Sequence, residues 1–296
     1  MVLYIRMMTL KAWQSTGDFF TYGKHRIFYK KAGQGPALLL LHGFPTASWD
    51  WHLIWQPLQK HFTVFTLDLL GFGFSDKPKQ NYLIHQQADI VIAFLSDQKV
   101  VSYHLLAHDY GDTVAQEILA RANKGVKIKK NNAPKLLSLC LLNGGLFPET
   151  HHPLLVQKVL MSPIGWLVAK LFTKKKLQQN LEGIFGSNTQ PTRKNITDFW
   201  TLMTHNQGKS VFHLLIRYMQ QRKKYRSRWV GALQQTLIPI QLINGVADPI
   251  SGAHMVDRYC ELIPQPNVVT LEDIGHYPQI EAPEVVLQHY LSFVLK

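Results

Sequence analysis

The sequence has few cysteines and no leader-like apolar run at its start. Cys140 and Cys260 are its only two cysteines, and their separation favours neither a disulfide framework nor a metal site. Such sparse cysteine usage is typical of a reducing compartment. Met1–Gly17 lacks an apolar stretch long enough for a signal peptide or a membrane span, so we expect a cytoplasmic protein. Pro153–Phe172 is apolar, but lysine, proline and glycine interrupt it, which predicts a pair of amphipathic helices.

Acidic residues are scarce in one part of the chain, residues 146–233. This segment holds 14 lysines and arginines against 3 acids, and therefore carries +11 of the chain's net charge of +13. One interpretation is a solvated basic face. The other is attraction to an anionic membrane surface or an anionic substrate. Because no nucleic-acid-binding motif accompanies the charge, we expect no nucleic acid partner.

The motif around which the chain is organised is Leu105–Asp112. An apolar run, Val101–Leu106, predicts a buried strand, and Thr113–Ala122 predicts the helix that follows. Small residues stand two positions before and two positions after Asp109, as a sharp strand-to-helix turn requires. A carboxylate at such a turn is suited to displacement at saturated carbon, which leaves an alkyl ester on the protein. The alternative is an aspartate that caps the next helix.

Apolar runs alternate with helical patterns along most of the chain, which predicts an α/β fold with a mostly parallel central sheet flanked by helices. The predicted hairpin is Phe19–Lys31. The predicted strands are Ala37–Leu41, Thr63–Leu67, Leu136–Leu142, Thr236–Ile243 and Val268–Leu271. The further predicted helices are Gln86–Leu95 and Pro283–Val294. Between residues 146 and 233 the sequence is helical, basic and aromatic. We therefore expect a core of residues 1–145 and 234–296. An inserted helical cap, 146–233, would cover the carboxyl ends of the strands.

A further loop is expected to contribute to the chemistry beside the Asp109 turn. His42–Pro45 directly follows a predicted strand, and such a loop can aim the Phe44 backbone N–H into a site. Beside the Asp109 turn, the Phe44 and Tyr110 N–H groups would form an oxyanion hole. The alternative for His42–Pro45 is an ordinary strand-exit turn.

A carboxylate and an imidazole follow the last two predicted strands. Asp248 lies in the loop after the first of these, and His276 lies in the loop after the second. The order Asp109, Asp248, His276 is nucleophile, acid, base. His276 would activate water, and Asp248 would hold its ring and stabilise the imidazolium. Taken singly, Asp248 is equally well a turn residue, and a lone histidine is usually structural.

Several motifs together resemble the epoxide hydrolase and haloalkane dehalogenase branch of the α/β-hydrolase fold, over almost the whole chain. They are His42–Pro45, Gly71–Pro78, Ala107–Asp112, Gly245–Pro249 and Gly275–Glu284. A closer likeness, to the mesoderm-specific transcript family, rests on the stretches Phe19–Tyr22, His108–Asp112, Asn143–His151 and Arg222–Leu233. The resemblance implies an α/β-hydrolase fold in which the Asp109 carboxylate forms an ester that His276-activated water hydrolyses.

The branches differ in how they stabilise the leaving group. Dehalogenases typically place a tryptophan after the nucleophile, whereas this chain has Tyr110 there and Phe44 in the preceding loop. Epoxide hydrolases protonate the epoxide oxygen with two cap tyrosines. Tyr218 aligns with the second of these and is the candidate proton donor; its alternative role is packing. The first has no equivalent, because residues 146–217 contain no tyrosine, and His151 or His152 is a substitute to test.

The resemblance therefore implies an epoxide-hydrolase-like enzyme for a small apolar substrate such as an epoxide. A haloalkane dehalogenase, or another hydrolase of the same fold, is the first alternative. A non-enzymatic scaffold or lipid-surface-binding protein, peripheral to an anionic membrane through the basic cap, is the second. Carboxylate, imidazole and backbone donors complete the cycle, so we expect neither metal nor organic cofactor. The sequence is compatible with a monomer or a homodimer.

Overall fold

The computed structural model of the protein describes residues 8–123 and 133–295, and these contain eight strands. The strands are β1 (Asp18–Tyr22), β2 (His25–Ala32), β3 (Ala37–Leu41), β4 (Thr63–Leu67), β5 (Ser102–His108), β6 (Lys135–Leu142), β7 (Ile240–Gly245) and β8 (Val268–Leu271). They form one sheet in the order β1-β2-β4-β3-β5-β6-β7-β8. Strand β2 pairs antiparallel with β1 and β4, and all the other pairs are parallel. The predicted mostly parallel sheet is confirmed.

Fourteen α-helices and two 3-10 helices, Ser48–Trp51 and His205–Val211, accompany the sheet in the described residues. The α-helices are α1 (Leu10–Ser15), α2 (Trp55–Leu58), α3 (Ile84–Asp97), α4 (Tyr110–Asn123), α5 (Leu155–Leu160), α6 (Gly165–Leu171), α7 (Lys174–Glu182), α8 (Arg193–Thr204), α9 (Phe212–Leu215), α10 (Tyr218–Lys224), α11 (Arg226–Gln235), α12 (Ala253–Leu262), α13 (Pro278–Glu281) and α14 (Pro283–Val294). No helix in these ranges has the length and apolar character to cross a bilayer. Leu38–Leu41 of β3 are fully buried, as expected of a central strand with helices on both faces.

The element bounds agree with the sequence prediction to different degrees. Strand β8 and helix α14 have the predicted bounds. Strand β7 begins at Ile240 rather than at Thr236, because Leu237 is 99% exposed and Pro239 has no N–H for a ladder. Helix α4 begins at Tyr110, earlier than predicted, because the turn at Asp109 leads directly into the helix.

The strand register places four site loops at one edge of the sheet. Leu41 at the end of β3 pairs with Ala107 of β5, so the loops after these strands are neighbours. Gly245 at the end of β7 pairs with Leu271 at the end of β8. Parallel strands end on the same side, and ligands bind at that side in such sheets. The fold therefore brings together residues that lie far apart in sequence.

Residues 143–239 contain none of the eight strands, and their seven α-helices, α5–α11, lie between β6 and β7. Helices α5 and α6 form the pair predicted for Pro153–Phe172. At the other end of the segment, α11 packs against α4, where the buried Glu117 carboxylate accepts hydrogen bonds from Arg228 and Trp229. The last helix of this segment is thus tied to the sheet-flanking helix that begins beside Asp109.

Candidate active site

Asp109 occupies a sharp turn between β5 and α4, with a positive φ of 45°. A Cβ added to Gly111 would lie 2.5 Å from the backbone oxygen of Leu41, which is closer than atoms approach. Only glycine therefore allows α4 to leave the sheet so near β3. The sequence predicted a small residue two positions after Asp109, and this close approach is the steric reason for it.

Asp109 is 5% exposed, and both oxygens of its carboxylate have hydrogen-bond partners. The Phe44 backbone N–H donates to Oδ2 over 3.0 Å. The Tyr218 hydroxyl donates to Oδ1 over 3.3 Å, and Arg222 lies 3.4 Å from the same oxygen. Burial alone would raise the pKa of Asp109, but the charges of Arg222 and His276 outweigh it and lower the pKa. Asp109 is therefore an ionised carboxylate in a largely dry site.

The loop after β3 brings the Phe44 N–H to that carboxylate. A Cβ on Gly43 would approach His108 Nδ1 to 2.6 Å, so a glycine is needed where this loop passes the Asp109 turn. Tyr110 is the first residue of α4, and its N–H has no partner within the helix. The two backbone groups expected to form an oxyanion hole thus come from adjacent loops, with the Phe44 N–H already bonded to the carboxylate.

Asp248 and His276 form a buried pair across the loops after β7 and β8. The His276 Nδ1–H donates to Asp248 Oδ2 over 2.7 Å. The Ser251 hydroxyl donates to the same oxygen over 2.7 Å, and the Asn143 amide donates to it over 3.1 Å. Burial would raise the pKa of Asp248, but the charge of His276 and the hydrogen bonds from His276, the Ile250 N–H and Ser251 lower it to about 2. Asp248 therefore stays ionised and fixes the imidazole ring.

His276 is held by hydrogen bonds of its backbone as well as of its ring. Its backbone N–H donates to Ile184 O over 2.8 Å, and its backbone carbonyl accepts the Nε2–H of His108 over 2.8 Å. Burial alone would lower the pKa of His276, but the carboxylates of Asp248 and Asp109 raise it to about 9. The ring is therefore an imidazolium at neutral pH when both carboxylates are ionised.

Tyr218 is the first residue of α10 and is 1% exposed. Burial and the Asp109 charge raise its pKa, so the phenol stays protonated. The structure therefore places the predicted proton donor candidate in contact with the Asp109 carboxylate.

The two histidines considered beside Tyr218 differ in position. His151 is partly buried, and its two ring nitrogens are inaccessible and have no hydrogen-bond partner among residues 8–123 and 133–295. Its Nδ1 lies 3.1 Å from the point where a Gly145 Cβ would stand, and Arg222 Nη1 lies 2.4 Å from that point. Burial and the charge of Arg222 lower the pKa of His151 to about 3, so its ring is neutral at pH 7. His152 instead stacks on His254 with ring centroids 4.3 Å apart.

Arg222 is a site residue that the sequence reasoning missed. It is 3% exposed, its Nε donates to Thr113 Oγ1 over 2.7 Å, and its Nη2 donates to the Asp109 carbonyl oxygen over 3.0 Å. Its guanidinium carbon lies 4.5 Å from the centre of the Tyr218 ring. The spacing of four residues between Tyr218 and Arg222, which puts them on one helix face, is the signal that could have found it. The surrounding run of lysines and arginines concealed that signal.

Asp109 and His276 line one small cavity of about 70 Å³ between the sheet edge and the helices above it. Most of the lining is apolar and includes Leu154, Val156, Leu160, Phe172, Met203 and Phe212. An apolar cavity with a few converging polar groups is the usual form of a small-molecule site. Within the described ranges, no group of three or more His, Cys, Asp or Glu side chains is arranged to hold a metal ion.

Comparison with known proteins agrees with this architecture. The alpha/beta hydrolase fold family model matches residues 36–283. The chain is 44% identical over 302 residues to the mesoderm-specific transcript homolog protein of Bos taurus, covering 96% of this chain and 88% of that one. It is 31% identical to the putative hydrolase LipZ of Mycobacterium tuberculosis, covering 97% of this chain and 98% of that one. The resemblance to the mesoderm-specific transcript family is confirmed.

Solved structures share the fold at low sequence identity. The epoxide hydrolase CorEH superposes with a TM-score of 0.76 at 18% identity, covering 95% of this chain and 98% of that one. The haloalkane dehalogenase DbeA of Bradyrhizobium elkani superposes with a TM-score of 0.78 at 18% identity, covering 94% and 97%. Together with the family match and the eight-stranded sheet, these findings show that the chain belongs to the α/β-hydrolase fold family.

Proposed function

We propose that this protein is a hydrolase that opens an epoxide through a covalent ester on Asp109. The observation that carries the proposal is the convergence on one carboxylate of an N–H donor, a phenol and a cation. Phe44 N–H, Tyr218 Oη and Arg222 Nη2 all lie within 3.4 Å of the Asp109 carboxylate oxygens. The carboxylate lines an apolar cavity with His276.

In the first step, Asp109 Oδ1 attacks an epoxide carbon. The carbon–oxygen bond of the ring breaks, its electron pair goes to the epoxide oxygen, and that oxygen takes the Tyr218 proton. Oδ2 becomes the carbonyl oxygen of a hydroxyalkyl ester. A phenol suits this leaving group because it can protonate an alkoxide as the alkoxide forms. This feature favours an epoxide over a halide.

In the second step, water attacks the carbonyl carbon of the ester. Esterification removes the negative charge of Asp109, which is one of the charges that raise the pKa of His276. The imidazolium then gives its proton to the Tyr218 phenolate that the first step left, and the neutral ring becomes the base that takes a proton from water. The Phe44 and Tyr110 N–H groups would stabilise the oxyanion at Oδ2. Collapse of this intermediate breaks the ester carbon–oxygen bond, and the departing oxygen takes the proton from His276 and leaves as the diol. The Asp109 carboxylic acid that remains gives its proton to His276, which restores the carboxylate and the imidazolium.

The same geometry gives the core and cap boundaries a functional meaning. Phe44, Asp109, Asp248 and His276 come from the proposed core, 1–145 and 234–296, whereas Tyr218 comes from the proposed cap, 146–233. The cap would thus supply the proton and the apolar lining, and the core would supply the ester chemistry.

The proposal is tested by the intact mass of a His276→Gln variant incubated with styrene oxide and, separately, with a bromoalkane. Loss of the base should stall ester hydrolysis, so an adduct equal in mass to the whole epoxide is expected. The matched control is His254→Gln, a histidine outside the cavity lining, which should accumulate no adduct. An adduct equal to an alkyl group without its halide would replace the proposal with a dehalogenase. If the folded variant forms no adduct with a broad panel of epoxides, the scaffold alternative is favoured.

A further inference from the structure

Exposed apolar side chains are concentrated on one part of the protein surface. Eleven large hydrophobic residues of the described chain are exposed, and five of them lie on α5, α6 and the turn between these helices. We call these five the cap apolar patch: Leu155, Ile164, Trp166, Leu167 and Leu171. Trp166 is 56% exposed and Leu171 is 67% exposed. Clustered exposed apolar residues of this size mark an interaction site, whereas single ones are ordinary.

Helix α6 presents this patch because only one side of it faces the protein. Ala169 is fully buried, and a Cβ on Gly165 would clash with the Leu160 carbonyl oxygen at 2.0 Å. The opposite side carries Leu167 and Leu171, which are four residues apart and share a face. The helix is therefore anchored by small residues and turns its large apolar ones outward.

Lysines surround the patch. Residues 150–181 contain five lysines and no acidic residue. Trp166 and Lys170 border one surface depression together with Lys79 and Lys209, and Leu155 and Leu171 border a second one together with Lys176. Like charges disfavour docking of a second copy of this face. Apolar and aromatic side chains ringed by lysines instead match an anionic lipid surface, where lysine stems lie along the apolar region and ammonium groups reach the headgroups.

The second depression adjoins the candidate active site. It shares the lining residues Leu154, Val156, Phe172 and Asn180 with the cavity that Asp109 and His276 line. One layer of side chains therefore lies between the patch and the cavity that holds the carboxylate.

We propose that the cap apolar patch docks on an anionic bilayer, so that the active-site cavity lies close to the membrane and admits a substrate dissolved in it. The identity of that substrate, a lipophilic epoxide, rests on the proposed function; the docking does not. The bilayer would receive Trp166 and Leu171 at the depth of the headgroups, and the lysines would contact anionic lipids.

The test is co-sedimentation of the full chain with phosphatidylcholine vesicles, with and without one third phosphatidylserine. Wild-type protein should bind the anionic vesicles at least about tenfold more tightly than the neutral ones, and high salt should weaken that binding. Trp166→Glu/Leu171→Glu should lower the affinity at least about tenfold. The matched control is Val101→Glu/Leu237→Glu, which places the same charges at exposed apolar positions of the core and should bind as wild type does.

The outcomes separate the docking from the chemistry. If wild-type protein ignores anionic vesicles while the His276→Gln variant forms its epoxide adduct, the docking is overturned and the proposed function stands. If the vesicles bind as expected and no epoxide gives an adduct, the docking stands and the proposed function fails. If sedimentation equilibrium shows a dimer that the patch variant dissociates, without vesicle binding by either protein, the patch is a self-association surface and the docking is overturned.

Discussion

The two ends of the basic segment 146–233 use their positive charges in opposite ways. At the end near β7, cations of α10 and α11 are paired with carboxylates of the core: Arg222 with Asp109, and Arg228 with Glu117. At the end near β6, Lys170 of α6 and Lys176 of α7 lie beside exposed apolar side chains. The net charge of the segment does not show this difference. A buried arginine that lowers the pKa of a carboxyl group and an exposed lysine each add one positive charge to it.

The largest effect should come from the inward end, at Arg222. Arg222→Gln removes the cation that holds the pKa of Asp109 down, so the buried carboxyl would take up a proton and lose nucleophilicity. We expect kcat/KM for the epoxide that gives an adduct to fall by about 10³-fold at neutral pH. The variant should also regain activity as pH rises. The outward counterpart, Lys170→Gln, should leave this rate unchanged, and a pH-independent loss in Arg222→Gln would argue against the charge effect.

Tyr218→Phe sharpens the comparison within the same helix. The change removes the hydroxyl that contacts Asp109 Oδ1 and keeps the ring that packs over Arg222. Ester formation should slow by about 100-fold, because the departing oxygen loses its proton donor. Hydrolysis of the ester, measured by single turnover, should change much less. Tyr225→Phe is the matched control, and an equal loss of both steps would assign Tyr218 a packing role.

Substitution of Glu117 measures how much the contact between α11 and α4 contributes to stability. Its buried carboxylate accepts from Arg121, Arg228 and Trp229, and although burial raises its pKa, those bonds lower it to about 2. Glu117→Gln should cost about 3 kcal/mol of unfolding free energy at neutral pH, measured by urea denaturation. The folded pKa is depressed, so this contribution is present above the ordinary value of 4.5 and is lost as pH falls toward 2.

The matched acid for that experiment is Glu149, which pairs with Arg226 and Arg258 but has a side chain 33% exposed. Glu149→Gln should cost no more than about 1 kcal/mol, because solvent screens a pair at the surface. Equal losses for Glu117→Gln and Glu149→Gln would contradict the account of a buried network that anchors α11.

The smallest effect on stability is expected at the outward end. Trp166→Ala removes a side chain that is more than half exposed, so the free energy of unfolding should change by no more than about 0.5 kcal/mol. Turnover of a water-soluble epoxide should also stay the same. A loss of several times that size, measured by the same urea denaturation, would mean that Trp166 packs against neighbouring helices of residues 146–233 and is not available to a membrane.

Local sequence patterns predicted the three central site residues because each follows an apolar strand. The chemistry proposed for Asp109, Asp248 and His276 needs them at strand ends, and strand ends are visible as apolar runs that stop at turn residues. Strand β8 was predicted for the same reason with the bounds that the structure has.

The remaining site residues were missed because tertiary packing brings them to the site. Arg222 lies among similar basic residues, which concealed its four-residue spacing from Tyr218, and the docking of α10 over the Asp109 turn is what distinguishes it. Asn143 and Ser251 contact Asp248 through loops whose course the pattern does not specify. Burial within residues 146–233 was equally hidden: Trp229 follows a basic run and is 2% exposed, whereas Trp166 lies in an apolar run and is 56% exposed.

The stretch Asn123–Lys130 is basic and contains a glycine, which predicts a surface connection. Of this stretch the structure describes only Asn123, whose side chain donates to Ala232 O of α11 over 2.8 Å. This contact adds to the packing of α11 against the end of α4. The rest of that prediction lies outside the described residues.

The central claim is that hydrolysis proceeds through an ester on Asp109, and its most direct test is the fate of the water oxygen. Wild-type protein would turn over its epoxide in water enriched in the heavy isotope of oxygen. The mass of the peptide that contains Asp109 would then be measured by mass spectrometry. Attack of water on the ester carbonyl should place heavy oxygen in the Asp109 carboxylate. If the diol carries the label from the first turnover and the Asp109 peptide stays unlabelled, water attacks the epoxide directly and the account is contradicted.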